Sequence, residues 1–213
     1  MDSKPRRGRP ANKAAEALTE TILDVATELF LEQGYAATSL EVIAASARVG
    51  KHTLYRRFPD KAALFIATMA RGLPDVEAVA KAHDDLPPLE RLKALATTVL
   101  DATITSQVIR FVRVVIAEGT RFPELAERFR EHGGRRSVAA AKALILEAQA
   151  AGALRVDDPD WLSRNFISLT VGLPFNHHLL GGREYDDPAV RARHLDQAWR
   201  LFMDGAGTPE QAG

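Results

Sequence analysis

The chain has 213 residues, of which 46% are apolar and 26% are charged, a composition typical of folded globular proteins that excludes wholesale disorder. Its 28 basic and 28 acidic side chains cancel, so the net charge by itself indicates no partner. The sequence contains no cysteine, which excludes disulfides and thiolate metal sites and fits a reducing compartment. Because no apolar segment follows the basic N-terminus, we expect no secretory signal and predict a cytoplasmic location.

Helical periodicity runs through most of the chain without convincing two-residue alternation, so the sequence predicts an all-α fold. Gly34 is expected to end the first helix, and Pro59 to end the third. Thr38 or Ser39 is expected to cap the second helix, which has Glu41 in its first turn. The predicted helices are, in order, residues 15–34, a short helix ending near residue 47, residues 51–58, a helix starting after Asp60, and residues 89–105, 107–119, 123–131, 134–151, 158–180 and 187–204.

Two later segments are unusually apolar. Residues 108–116 are apolar nearly all round, which predicts a central helix surrounded by others on every side. Residues 165–182 have no acidic or basic side chains, but asparagine, serine and histidine interrupt them, so we expect a buried helix rather than a membrane span. Within it, His177 is a candidate for lining a cavity, although a hydrogen-bonded buried histidine is the simpler interpretation.

The segment HTLYRRF, residues 52–58, places two aromatic rings and two arginines close together. Leu54 and Phe58 lie four residues apart and are expected to face the preceding helices. The other side chains would project outward, where they can reach phosphates, base edges and a thymine methyl group. This outward set is Lys51, His52, Thr53, Tyr55 and Arg56. A solvated basic face is the alternative, but three short helices with a tight turn before the third favour a DNA-binding helix-turn-helix.

Residues 18–69 resemble the N-terminal domain of TetR-family transcriptional regulators. The resemblance lies in the patterns LF..QGY..TSL..IA, V.K.TLYRRF and DK..L, and it covers about a quarter of the chain. It implies a homodimer that binds a palindromic DNA operator, most often as a repressor, and releases it on binding a small effector. It also implies phosphate contacts by Thr38 and Ser39 at the start of the second helix, by Tyr55, and by Lys61 from the fourth helix.

The family turn usually reads Ala-Gly-Val-Ser, whereas Ala47, Arg48, Val49 and Gly50 stand here, and a further departure follows in the third helix. Arg48 stands where glycine is usual, in a backbone conformation that is costly for a side chain. His52 stands where a small residue is common. The fold prediction survives these changes, and Arg48 joins the candidate DNA contacts, but the base sequence that is recognised cannot be inherited from relatives.

A second basic cluster, KPRRGRP at residues 4–10, precedes the first helix. It resembles the minor-groove hook of architectural proteins, and the alternative is a basic leader that adds only non-specific affinity. In either case Arg7 and Arg9 are expected to attract phosphates. The predicted organisation is a flexible basic arm (1–14), a helix-turn-helix DNA-binding domain (15–60), a helical ligand-binding and dimerisation domain (61–205) and a flexible tail (206–213).

Two apolar stripes on the last long helices are the predicted dimer interface, because a palindromic operator requires two-fold symmetry. Pairing two helices from each chain would make a four-helix interface. The alternative is that each stripe packs inside its own subunit. The stripes comprise Leu162, Phe166, Leu169, Leu173, Leu195, Ala198, Trp199 and Phe202.

The C-terminal region is long enough to enclose a cavity, and the resemblance favours a small, mostly apolar effector with one or two polar ends. Arg113 would hold an anionic end of that effector. The alternative is a solid core in which Arg113 pairs with an acid such as Glu118. The candidate ligand-binding residues are Phe65, Met69, Leu100, Ile104, Phe111, Arg113, Val115, Phe166, Thr170, Phe175, Asn176 and His177.

The sequence has no phosphate-binding glycine loop, HExxH motif or glycine-flanked nucleophilic serine, so it predicts neither an enzyme nor a metal or other cofactor. Two other functions remain open. One is a DNA-binding regulator controlled by a protein partner instead of a small ligand. The other is a ligand-binding enzyme that retains a vestigial helix-turn-helix, which turnover of a bound compound would reveal.

Overall fold

The computed structural model describes residues 9–82 and 85–208, with side chains from residue 13 onward. These residues form α-helices and one isolated antiparallel bridge, Leu154 to Gly207, which confirms the all-α prediction. The helices are α1 (Arg9–Ala37), α2 (Leu40–Ser46), α3 (Lys51–Arg57), α4 (Lys61–Ala70), α5 (Val76–Lys81), α6 (Pro88–Thr103), α7 (Ser106–Glu118), α8 (Pro123–His132), α9 (Gly134–Ala150), α10 (Pro159–Ile167), α11 (Leu173–Leu179) and α12 (Pro188–Ala206). A π-helical turn (Ser168–Gly172) joins α10 to α11, and a 3-10 turn (Glu184–Asp186) precedes α12. In the part of the chain that the structure describes, no helix is both long and apolar enough to cross a membrane.

The chain folds as two compact units. The first takes in the chain up to Arg71 together with Val114–Arg128, and the second takes in Gly72–Arg113 and the chain from Phe129 onward. The sequence had not grouped residues 114–128 with the N-terminal helices, because nothing in their local pattern links them to distant residues. The four-part division proposed from the sequence remains a prediction.

Caps and a glycine kink fix the short helices of the first unit. α1 turns at Gly34, whose φ of 83° and ψ of 173° are non-helical, at the residue where the sequence predicted the helix to end. The Ser39 hydroxyl accepts the Val42 N–H at 3.2 Å and caps α2. The Asp60 carboxylate accepts the Ala63 N–H at 2.8 Å and caps α4.

Four aromatic rings form the core of the first unit. Phe30 packs edge-on against Phe65 with ring centroids 5.1 Å apart, and Tyr35 packs edge-on against Phe65 at 5.5 Å. Phe122, from the 114–128 segment, packs against Tyr35 at 5.0 Å. Burial raises the pKa of Tyr35 to about 12, so this phenol stays neutral at physiological pH.

The core of the second unit lies among α5, α6, α9, α10 and α12. α5 is a helix that the sequence did not predict: Asp75 caps it, but its six residues are too few to show a helical period. Leu92 and Leu95 of α6 and Ile145 of α9 are fully buried in this core. Arg91 is buried beside them because its guanidinium donates to the Ala80 carbonyl and to the Glu147 carboxylate.

Pro174 interrupts the helix predicted at residues 158–180. Proline has no N–H, and its ring crowds the carbonyl of the residue four positions earlier, which is Thr170 here. The backbone widens into the π-helical turn just before this proline. His194 Nε2 on α12 lies 3.0 Å from the Thr170 oxygen and must donate to it, since a carbonyl can only accept.

The prediction that the 108–116 helix is surrounded on every side is wrong. Phe111 is fully buried, but Ile116 is 64% exposed, and Arg110 and Arg113 are exposed too. α7 is therefore an amphipathic helix with one solvent-facing side. Arg110 and Arg113, three residues apart, mark that side in the sequence, but the run of valines and isoleucines around them outweighed this signal.

Candidate DNA-binding site

α2 and α3 form the predicted helix-turn-helix. Between them the Val49 N–H donates to the Ala44 carbonyl at 2.9 Å, and the Thr53 N–H donates to the Gly50 carbonyl at 2.9 Å as α3 begins. Arg48 has a φ of 54°, which is the left-handed conformation. We expected it because glycine usually stands at this position of the turn. The departure is therefore tolerated in the fold, although it strains the backbone.

The side chains predicted to face inward are buried. Leu54 and Ile43 have no exposed surface, and Leu40 and Phe58 are also buried. Because α3 has only seven residues, burial of Leu54 leaves most of its other side chains on the solvent side. The exposed side chains here are Arg48, Lys51, His52, Tyr55 and Arg56, whereas Ser39 and Thr53 are half-buried.

Glu41 of α2 lies on the same face. Its Oε1 accepts a hydrogen bond from the Tyr55 hydroxyl at 3.0 Å and lies 4.0 Å from Lys51 Nζ. Hydrogen bonds from its own backbone N–H and from Tyr55 hold the pKa of Glu41 below its usual value. The same bond raises the pKa of Tyr55. From the sequence we placed Glu41 only in the first turn of α2 and did not predict this contact, because a link between two helices across a turn has no local signal.

Arg57, the second arginine of the HTLYRRF segment, belongs to the scaffold. Its Nη1 donates to the Thr19 hydroxyl of α1 at 2.8 Å, and its buried Nε has no hydrogen-bond partner. The two arginines of this segment therefore have different positions. Arg56 is exposed, whereas Arg57 links α3 to α1 by a hydrogen bond.

Lys61, predicted to contact phosphate, is engaged inside the first unit. Its ammonium donates to the carbonyls of Tyr35 at 2.8 Å and Thr38 at 2.9 Å, and it lies 4.3 Å from the centre of the Tyr35 ring. Burial lowers the pKa of Lys61. Two of its three protons thus serve the end of α1, which leaves one for a phosphate.

The prediction that the Thr38 side chain contacts phosphate needs correction. Thr38 is 1% exposed, and its hydroxyl lies 2.8 Å from the Gly34 carbonyl and 3.2 Å from the Leu29 carbonyl, to which it donates. It ties the kink to α1. Ser39 caps α2 by accepting a bond, so its own hydroxyl proton is not used there.

The 114–128 segment is joined to the same unit by two polar contacts. Glu118 Oε1 accepts the Ala36 N–H at 3.0 Å, just after the kink in α1. Arg128 Nη2 donates to Asp60 Oδ2 at 2.7 Å, while Asp60 also caps α4. Arg7 and the side chain of Arg9, the other predicted DNA contacts, lie outside the described residues.

The predicted dimer interface is mostly core. Leu162, Phe166, Leu195 and Phe202 belong to the buried cluster of the second unit, and Phe166 and Phe202 pack edge-on with ring centroids 4.9 Å apart. Ala198 is buried too, and Leu169 and Trp199 are half-buried, so of the predicted set Leu173 is the exposed member. The sequence alternative, that the stripes pack within their own subunit, describes these residues better.

The predicted ligand-binding residues fall in both units. Phe65, Met69 and Val115 are buried residues of the first unit. In the second unit the apolar candidates Leu100, Ile104, Phe111 and Phe166 are buried, as is Thr170, and Phe175 is half-buried. The Thr170 hydroxyl donates to the Phe166 carbonyl at 2.8 Å.

Of the three predicted polar anchors, Arg113 is engaged by backbone carbonyls. Arg113 donates to the carbonyls of His178 and Leu179 at the end of α11, and the proposed alternative pairing with Glu118 is wrong. Asn176 is exposed. His177 is half-buried, and the hydrogen-bonded buried histidine is its neighbour His178, which lies 3.0 Å from both the Pro174 carbonyl and an Asp186 carboxylate oxygen.

Comparisons with known proteins agree with this geometry. Residues 22–68 match the family model for bacterial regulatory proteins of the tetR family, and residues 90–205 match the C-terminal domain of AefR-like transcriptional repressors. The transcriptional regulator AcuR of Cereibacter sphaeroides is 31% identical over 78% of this chain and 79% of its own. The uncharacterized HTH-type transcriptional regulator YdeS of Bacillus subtilis is 29% identical over 90% of each chain.

A solved structure extends the likeness along most of the chain. The flavonoid-responsive regulator FrrA superposes with a TM-score of 0.72 at 30% identity, covering 91% of this chain and 99% of FrrA. The family models together span the helix-turn-helix and the larger helical region that follows it. This chain belongs to the TetR family of DNA-binding transcriptional regulators.

Proposed function

We propose that the protein is a repressor that binds a palindromic operator as a homodimer and is released by a small, mostly apolar effector. The observation that carries this proposal is the α3 surface, on which Lys51, His52, Tyr55 and Arg56 are exposed around a fully buried Leu54. Lys51 and Arg56 supply cationic donors to phosphates. His52 and Thr53 are placed on the same helix for contacts with base edges.

A different apolar set supports dimerisation. Trp161 of α10, Leu173 of α11 and Leu201 of α12 are each more than half exposed, whereas the stripes predicted from the sequence are mostly buried. Large apolar side chains on the surface of neighbouring elements are typical of an association site. A two-fold axis through this surface would match the symmetry of an inverted repeat.

The effector part of the proposal rests on the family and on FrrA, whose name describes it as flavonoid-responsive. We propose an aromatic, mostly apolar effector for this chain as well. An effector that weakens operator binding must bind the DNA-free conformation more tightly. It should therefore raise the melting temperature of the protein while releasing the DNA.

DNA binding is tested with duplexes from the promoter beside the gene, using fluorescence anisotropy at several salt concentrations. Arg56→Ala should weaken binding about 5- to 10-fold, the effect of losing one phosphate contact, because Arg56 is exposed on α3. Arg155→Ala is the matched control, since Arg155 is an exposed arginine of the second unit. Equal affinity of both variants and the wild type would contradict the role of α3.

The effector is tested by screening flavonoids and other aromatic compounds for thermal stabilisation and then for operator release. A compound that does both supports the proposed control, and loss of its effect in Phe111→Trp would place it near that buried ring. If no compound releases the operator but a cellular protein does, the alternative of control by a protein partner is favoured.

A further inference from the structure

Glu41 is the only acidic residue in the sequence of residues 40–57, a stretch that includes the basic side chains Arg48, Lys51, Arg56 and Arg57. Ser39 caps α2, and the Glu41 carboxylate accepts its own N–H within that first turn. It also accepts the Tyr55 hydroxyl proton at 3.0 Å and lies 4.0 Å from the Lys51 ammonium. An anion therefore already occupies part of the surface that is proposed to receive DNA.

The Tyr55 phenol has a single proton to donate. While that proton is bound to Glu41, it cannot be donated to a phosphate oxygen. The Lys51 ammonium keeps more freedom, because its distance to Glu41 is long and its side chain is 67% exposed. Tyr55 is thus the side chain whose DNA contact depends most directly on release from Glu41.

We propose that Glu41 is an intramolecular competitor for DNA phosphate, which holds the Tyr55 hydroxyl in the DNA-free protein and so lowers the affinity for every duplex. This inference rests on the proposed binding of DNA by α3. The carboxylate is half-exposed, so a phosphate can approach and displace it. Phosphate contacts carry no direct sequence information, so the penalty applies to operator and random DNA alike.

A purely structural role for Glu41 makes the opposite prediction. If the bond to Tyr55 served to hold α3 in its DNA-binding position, removing the carboxylate would weaken binding. The lowered pKa of Glu41, caused by its backbone N–H and by Tyr55, keeps the carboxylate anionic at neutral pH, where repulsion of phosphate is at full strength. Competition therefore predicts tighter binding after its removal.

The first experiment compares wild type, Glu41→Gln and Glu32→Gln on random duplex DNA and on the operator at stepped salt concentrations. Glu32 is an exposed acid on α1, so its variant removes the same charge from the same unit. Glu41→Gln should bind both duplexes about 3- to 10-fold more tightly, with a log–log salt slope steeper by up to about one, because Lys51 no longer has an internal counter-charge. Glu32→Gln should differ from the wild type by less than about twofold. Unchanged or weaker binding by folded Glu41→Gln and Glu41→Ala proteins overturns the proposal.

The second experiment separates competition for Tyr55 from simple removal of a negative charge. In a Tyr55→Phe background there is no hydroxyl to release, so the gain from Glu41→Gln should shrink to the part that comes from removing the negative charge beside Lys51. An equal gain in both backgrounds overturns competition through Tyr55. Glu41→Ala is measured beside Glu41→Gln, because the glutamine amide oxygen can still accept the Tyr55 proton and alanine cannot. Circular dichroism and denaturant unfolding verify that each variant is folded.

Failure of DNA binding by α3 and failure of the competitor role of Glu41 give different experimental results. If the wild type binds no duplex even at low salt, the proposed DNA binding is overturned and this inference with it. If the wild type binds DNA and the Arg56→Ala variant binds more weakly, but neither Glu41→Gln nor Glu41→Ala tightens binding, only the competitor role is overturned.

Discussion

The α2–α3 surface of the first unit and the helices α10–α12 of the second unit were both predicted to be binding surfaces, but only the first is built as predicted. On α3 the side chains expected outside are exposed or half-buried, and those expected inside are buried. On α10 and α12 the apolar stripes offered as an interface belong largely to the core of their own unit.

The difference follows from the balance of residue types. A seven-residue helix with one large aliphatic side chain has one possible inner face, so the charged residues define the outer face. α10–α12 have apolar residues on more than one face, and burial in the subunit and burial between subunits select the same residue types. Sequence periodicity identifies a stripe but not what covers it.

The largest expected effect comes from two adjacent residues of α12. Phe202 is 7% exposed and packs edge-on against Phe166, so Phe202→Glu should bury an unpaired charge and destabilise the second unit by more than about 3 kcal/mol. Leu201 is 61% exposed, so Leu201→Glu should keep its helical content and lower the mass observed in sedimentation. Circular dichroism and analytical ultracentrifugation test the pair, and a folded monomeric Phe202→Glu protein would restore the original interface prediction.

In the first unit the contrast lies between two lysines. Lys61→Met should leave the Tyr35 and Thr38 carbonyls without their donor and lower the free energy of unfolding by about 1–3 kcal/mol. The Lys51 side chain is 67% exposed, so Lys51→Met should change the free energy of unfolding by less than about 0.5 kcal/mol. Denaturant unfolding followed by circular dichroism measures both, and equal effects would mean that Lys61 is not a structural donor.

A smaller effect, of opposite sign, is expected at the turn. Arg48→Gly should stabilise the protein by about 0.5–1 kcal/mol, because glycine adopts a φ of 54° without strain and this gain exceeds its greater entropy in the unfolded chain. Arg56→Gly, within α3, should instead destabilise by about 1 kcal/mol. Thermal unfolding of the two variants should shift in opposite directions, and a loss of stability in Arg48→Gly would show that its side chain makes a compensating contact.

The smallest effect concerns an exposed pair in the second unit. Hydrogen bonding to Arg136 lowers the pKa of Glu77 from 4.5 to about 2. Because the folded-state pKa is depressed, the pair stabilises the protein above pH 4.5, and this contribution is lost as the pH falls towards 2. Solvent screens the pair, so Glu77→Gln should only slightly reduce the loss of stability between pH 5 and pH 3, as measured by urea unfolding. An identical loss in variant and wild type would assign the acid sensitivity to other carboxylates.

Local signals were enough for much of the first unit. Gly34 was predicted to end a helix, Thr38 or Ser39 to cap α2, and a helix to start after Asp60. In the structure Gly34 kinks α1, Ser39 caps α2 and Asp60 caps α4. The left-handed backbone at Arg48 was also expected from the glycine that usually stands there. Each of these depends on a few consecutive residues, which is the range over which sequence patterns are informative.

The sequence by itself determined the all-α class, the family and the outward basic face, because helix periodicity, caps and the helix-turn-helix pattern are local. Tertiary structure decided which polar groups form hydrogen bonds within the protein. Lys61 donates to Tyr35, Arg57 donates to Thr19, and Glu41 accepts from Tyr55. Tertiary structure also decided which apolar faces of α10–α12 are core. These outcomes depend on contacts between residues far apart in the chain. Which hydrogen bond forms, and which apolar face is buried, depends on the residues that the fold brings close together.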